Sequence, residues 1–84
     1  MTHKEKSKTE ILARLRRVEG QVRALQAMIA REEACESVAQ QMAAARKALD
    51  KTFYQMLGCA MEQAVHEDGP AGAGRISDLL VKYG

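Results

Sequence analysis

Six aliphatic residues, Ile11, Leu15, Val18, Val22, Leu25 and Ile29, follow one another at spacings of 4, 3, 4, 3 and 4. A repeat averaging about 3.5 residues is the period of one helix laid lengthwise on another. The same rhythm returns at Val38, Met42, Ala45, Leu49, Thr52, Met56 and Cys59. The two runs therefore predict a hairpin of long helices, with its turn in REEACES, residues 31–37. The second run also carries another apolar row, Phe53, Leu57, Ala60 and Ala64. A helix that is apolar on two faces needs cover on two sides. The first helix supplies one cover and a second copy of the chain the other, so the expected architecture is an antiparallel four-helix bundle.

Local signals set the expected boundaries. SKTE, residues 7–10, is a capping-box pattern with Ser7 as N-cap and Glu10 reaching back. Gly20 interrupts the first seam at a cost of about 1 kcal/mol relative to Ala, and close approach of another helix is the expected reason for it. EDGPAGAG, residues 67–74, reads as a linker because one Pro and three Gly fall within it. After it, Ile76, Leu79, Leu80 and Tyr83 repeat at helical spacing and predict a short third helix across a bundle end. The expected chain is all-α, with helices over about 7–31, 34–66 and 74–83 in one domain covering 1–84. There is no strand-like alternation and no internal repeat.

Eighty-four residues with no Trp, one Phe and two Tyr leave little to build a core from. A chain this short buries only about 60–65% of its unfolded surface, which makes self-association the first expectation. No apolar run approaches the roughly 20 residues of a membrane span, and the polar N-terminus MTHKEKSKTE does not read as a secretory signal. The expected location is cytoplasmic, where two cysteines stay reduced and form no disulfide framework. Net charge is only +2, but it is uneven. Residues 4–51 carry eleven Lys or Arg against seven Asp or Glu, and residues 52–84 carry two against four. A basic half of this kind can face an anionic polymer or simply be a soluble helix surface.

RLRRVEGQVRAL, residues 14–25, followed by ACESVAQQMAAARKAL, residues 34–49, resembles the CsoR/RcnR/FrmR family of bacterial repressors. The shared features are basic residues ahead of a GQ pair, a cysteine opening the second helix, a QQ pair, and small residues ending in Arg. The resemblance implies hairpins that dimerise and then pair as a dimer of dimers, a homotetramer bound to operator DNA. It also implies release of that DNA when the second-helix cysteine binds or reacts with an effector. The positions that match its DNA-holding faces are Arg14, Arg16 and Arg17 on the first helix, with Arg46, Lys47 and Lys51 on the second. Arg46 has a second reading, since Asp50 four residues on can pair with it. Contacts to phosphates and to DNA shape should dominate, with limited reading of bases.

Cys35 matches the family's reactive or ligating cysteine, and a helix N-terminus favours a thiolate, while Glu32, Glu33 and Glu36 oppose it. The alternative is a small thiol serving as core. Metal sensors of the family complete the site 25 and 29 positions further on, which here are Ala60 and Ala64, unable to coordinate anything. His3 matches the N-terminal ligand of the nickel and cobalt branch, but His3 with Cys35 leaves such a site short of donors. Cys59 falls on the apolar seam, so packing is its first reading. The rival is a meeting with Cys35 of another chain, to share Cu(I) or form a disulfide or polysulfide bridge. Formaldehyde-sensing relatives join the helix cysteine to the N-terminal amine, a role open to Thr2 once Met1 is removed.

The favoured function is thus a repressor whose Cys35 reacts with formaldehyde, another electrophile or a persulfide donor. The alternative within the family is a metal-responsive repressor, using Cu(I) through Cys35 and a partner chain's Cys59, or nickel or cobalt through His3 and Cys35. A helical-bundle module with no DNA role is the alternative of another class. No catalytic dyad, phosphate-binding glycine loop or carboxylate pair suggests an enzyme.

Overall fold

The computed structural model describes residues 3–84, with side chains from Glu5 onward. Among the described residues the chain is all-helical: α1 is His3–Ala30, α2 is Cys35–Asp68 and α3 is Pro70–Tyr83. It divides into two compact units, residues 1–52 and residues 53–84, with the division inside α2.

In the first unit α1 and the opening half of α2 form an antiparallel hairpin. Leu25, Val38 and Ala45 make a buried cluster with Met28 packed against it, while Arg14 and Arg17 lie opposite Lys47 and Lys51 further from the turn. The two apolar seams are used unequally. Ile11, Val18 and Leu25, seven residues apart, are buried, and so are Val38, Ala45 and Thr52. The intervening members, Leu15, Val22, Ile29, Met42 and Leu49, are between 40% and 58% exposed. One row of each helix closes the hairpin and the other faces outward. Thr52 is the buried polar member, and its hydroxyl donates to the Ala48 carbonyl oxygen at 3.0 Å, so no donor is left unmet.

The turn has a sharp geometry that its sequence does not advertise. Glu33 N–H donates to the Met28 carbonyl and Glu32 N–H to the Ile29 carbonyl, each at 3.0 Å. That pair of bonds is a Schellman C-cap, whose left-handed residue is usually Gly. Here it is Glu32, at φ 57°. Arg31 pairs with the Glu33 carboxylate across the turn.

Three expectations need correction. Helix α1 starts at His3, so Ser7 lies inside it and does not cap it. Thr9 nearby bonds back to the Glu5 carbonyl at 3.0 Å, as a hydroxyl inside a helix does. Gly20 is not a point of close approach within the chain, since nothing lies within 4 Å of where its Cβ would be. The stretch 67–74 is not a linker: α2 continues to Asp68 and α3 begins at Pro70, with Gly69 alone between them.

The second unit explains that last difference. Gly69 sits at φ 59°, ψ −137°, a conformation that side-chain-bearing residues avoid. Pro70 then occupies the first turn of α3, where its missing N–H costs nothing. Gly72 is buried against the Ala64 backbone. Ile76, Ser77 and Leu80 share a hollow with Tyr54, Leu57, Gly58 and Met61. Helix α3 therefore folds back along the later half of α2. Arg75 pairs with Asp68 at 2.9 Å across this corner.

Candidate nucleic-acid interface and sensor site

Arg14 and Arg17 stand three residues apart on α1, and Lys47 and Lys51 four apart on α2, so each pair shares a helix face. The hairpin register brings the two pairs to one cleft of about 260 Å³, floored by Ala44 and Ala48. The alanines matter because larger side chains there would fill the space between the cations. None of the residues lining the cleft is acidic. Arg16 and Arg46 are exposed but do not line it. Among the described residues no ion pair joins Arg46 to Asp50. The site is therefore a four-cation cleft at the side of the hairpin, able to attract an anion held against both helices.

Cys35 is the first residue of α2 and is exposed. The Val38 N–H donates to the Ala34 carbonyl at 3.1 Å, so the first helical bond straddles the cysteine. The thiol lines a hollow of about 520 Å³ together with Ile29, Glu32, Glu33, Val38, Ala39 and Met42. The left-handed Glu32 thus belongs both to the turn and to the surroundings of the thiol. Ile29 and Met42 belong to the outward-facing row, so this hollow opens onto the uncovered apolar face of the hairpin. Sequence spacing alone gives no hint of these neighbours, because they meet only once the turn is formed.

Cys59 is half-buried and lies in the second unit. Ala60 is half-buried, and Ala64 is 5% exposed beneath the first turn of α3. Thr2 lies outside the described residues, and His3 is described only as the first residue of α1. Glu32 and Glu33 could offer oxygens, yet among the described residues no three His, Cys, Asp or Glu converge closely enough to hold a metal ion. Among the described residues, the donors around Cys35 do not fit a closed transition-metal site in a single chain.

The family model for metal-sensitive transcriptional repressors matches residues 7–82. Transcriptional repressor RcnR of Salmonella typhimurium (strain LT2) is 31% identical over 83 residues, covering 98% of this chain and 92% of the relative. Transcriptional repressor RcnR of Salmonella paratyphi B and the RcnR homolog of Salmonella typhi are similar to the same extent. No solved structure matches the chain. No described helix is long and apolar enough to cross a membrane. The match runs through both arms of the hairpin and nearly all of α3, and the chain belongs to the metal-sensitive transcriptional repressor family.

Proposed function

We propose that this chain is a cytoplasmic, operator-binding repressor that releases DNA when Cys35 is modified. The observation that carries the reading is the cleft of Arg14, Arg17, Lys47 and Lys51, which offers four cations and no lining carboxylate to a phosphate backbone. Phosphate contacts of this kind release counterions and sum over every copy of the cleft in an oligomer. The outward-facing row of Leu15, Val22, Ile29, Met42 and Leu49 supports pairing of two hairpins. A pairing of such dimers would then present four clefts.

The sensor half of the proposal rests on donor chemistry. With Ala60 and Ala64 in place of ligands, the chemistry left to the site needs one nucleophilic sulfur. Formaldehyde would form an S–C bond at Cys35, the carbonyl oxygen taking the thiol proton. The amine of Thr2 would then displace the adduct's hydroxyl, an N–C bond forming as the C–O bond breaks and water leaving with one N–H proton, to close a one-carbon bridge. A polysulfide would instead transfer sulfur, one S–S bond forming at Cys35 as another breaks and a shorter polysulfide leaves. Either product adds bulk beside Ile29 and Met42, on the face where a second hairpin would pack.

Membership in a metal-sensitive family favours a second reading, a metal-responsive repressor. Cys35 and Cys59 are 24 positions apart on α2, so one Cu(I) shared between them would need two chains. Nickel or cobalt would instead need His3 with Cys35. The deciding experiment is titration of the protein onto duplex DNA at low salt, repeated after formaldehyde, polysulfide or Cu(I), with intact-mass spectra of each sample. Binding relieved by a covalent adduct at Cys35 supports the first reading, and relief by Cu(I) without an adduct supports the second. No retained duplex at low ionic strength rejects both.

A further inference from the structure

We propose that the cleft of Arg14, Arg17, Lys47 and Lys51 is a discrete site for an oligophosphate, which competes there with DNA. The ligand is a short chain of condensed phosphates, free or as the tail of a nucleotide. The competition rests on the DNA-binding reading, whereas the site itself stands on the cleft alone. All four cations belong to the first unit, and they line one hollow of about 260 Å³ together with Ala44 and Ala48. At about 30 Å³ for each molecule, that is the space of roughly nine waters. The four cationic residues are exposed, so the hollow is open to solvent and a chain of phosphates can enter it.

Charge separates this ligand from a duplex. Each phosphate of a duplex carries one negative charge, and the duplex is stiff and convex. It can lay its phosphates along the rim of a hollow but cannot fold several of them into it. Four cations around one hollow therefore exceed what an entering phosphodiester neutralises. A terminal phosphate carries close to two charges near neutral pH, and condensation gathers several charges on one short, flexible chain. Arg14 and Arg17 offer planar forks that suit pairs of phosphate oxygens, while Lys47 and Lys51 act as point charges. Ala44 and Ala48 add an apolar wall, which focuses a field of one sign, and no lining carboxylate opposes the ligand. Sulfate and orthophosphate, with no more than two charges, match only half of the set.

The test is calorimetric titration of the full-length protein with sodium tripolyphosphate, ATP, adenosine, orthophosphate and sulfate. Ionic strength is held constant with NaCl, and no divalent cation is present. Tripolyphosphate and ATP are expected to saturate at one per chain, and adenosine not to bind. Orthophosphate and sulfate, short of two ion pairs, should bind about ten-fold more weakly. Equal affinity for tripolyphosphate and ATP marks the phosphate chain as the ligand, and tighter ATP marks the nucleotide. Arg17→Ala and Lys47→Ala should each weaken tripolyphosphate about three- to five-fold, the worth of one exposed ion pair. Arg16→Ala and Arg46→Ala remove the same charge off the cleft and should weaken it less than about two-fold. Circular dichroism confirms that these variants, all changed at exposed positions, remain folded. Tripolyphosphate should also displace a labelled duplex from the wild type at concentrations near its own dissociation constant. The proposal is overturned if tripolyphosphate binds no more tightly than sulfate, or if all four variants weaken it equally, which marks a diffuse basic surface. A duplex that stays bound under saturating tripolyphosphate overturns the competition. A wild type that binds tripolyphosphate but retains no duplex supports the oligophosphate site and overturns the DNA-binding reading.

Discussion

Gly72 approaches Ala64 so closely that a Cβ added to it would stand 2.1 Å from the Ala64 carbonyl oxygen and 3.0 Å from its methyl carbon. The obstacle is backbone, which cannot swing aside as a side chain does. This contact fixes how α3 folds back on α2 and keeps Ala64 covered. Gly72→Ala should therefore displace the first turn of α3 and cost about 3 kcal/mol, at the upper end for overpacking. For a chain of this size that is a fall in Tm on the order of 15 °C. Gly20→Ala, with open space around it, should instead raise Tm by a few degrees, since it removes a helix-interior penalty of about 1 kcal/mol. Calorimetry of the two variants side by side checks both signs.

Glu32 carries the left-handed turn that a Gly would hold without strain. The conformation costs a side-chain-bearing residue roughly 1–2 kcal/mol, and Gly returns up to about 1 kcal/mol of that through a more flexible unfolded chain. Glu32→Gly should thus stabilise the hairpin by about 0.5 kcal/mol, and Glu32→Val, β-branched, should destabilise it by about 1 kcal/mol. Urea midpoints measured at a constant m value would show the two moving in opposite directions.

These two positions show what the sequence could and could not reveal. The hairpin is legible because a seam of period 3.5 has few other uses. The turn is not, because Glu32 reads as an ordinary charged residue, yet it takes the left-handed place in the C-cap at φ 57°. PAGAG reads as a linker since Gly and Pro signal irregular chain, whereas here Pro70 opens a helix and Gly72 permits close packing. At the candidate interface, spacing pairs Arg14 with Arg17 and Lys47 with Lys51. It cannot separate them from Arg16 and Arg46, because convergence across two helices depends on hairpin register. Cys35 stands out through motif resemblance, but Ile29 and Met42 beside it belong to the seam and give no sign of a hollow.

The uneven use of that seam predicts different fates for neighbouring substitutions. Leu25 is 7% exposed and Val22 is 44% exposed. Leu25→Asp buries an unpaired carboxylate, at a cost of several kcal/mol, and should abolish helicity at every protein concentration. Val22→Asp leaves the hairpin's own core intact and should act on self-association. In sedimentation the wild type should run above the monomer mass with a Tm that rises with concentration. Val22→Asp should sediment as a monomer. A wild type that is monomeric in reducing buffer would remove the basis for a bundle of two hairpins.

Salt dependence separates the cleft from the rest of the basic surface. Removing one cation from a phosphate lowers the slope of log affinity against log salt by about 0.9 for duplex DNA, multiplied by the number of copies engaged. Arg14→Ala, Arg17→Ala, Lys47→Ala and Lys51→Ala should each flatten the slope and weaken binding about equally across sequences. Arg16→Ala and Arg46→Ala lie off the cleft and should do so less. Equal effects from all six would mean that a diffuse field, not the cleft, holds the duplex. Anisotropy titrations at several salt concentrations distinguish the two outcomes.

The two cysteines should part company under the same assay. Cys35 is exposed in a hollow with room for an adduct, while Cys59 is half-buried on a seam position. Cys35→Ser should keep DNA affinity, since no cation is touched, and lose all response to formaldehyde and polysulfide. Cys59→Ser should keep the response and lower stability by about 1 kcal/mol, as a polar hydroxyl replaces a small apolar thiol in a packed row. If Cys59→Ser instead abolishes release, with helicity and the intact-mass adduct at Cys35 both unchanged, Cys59 works with the partner's thiol. In that event a shared Cu(I) or a bridge between chains becomes the trigger. Non-reducing electrophoresis after polysulfide treatment separates those two: a dimer band that vanishes in either serine variant marks the bridge, and its absence leaves the metal.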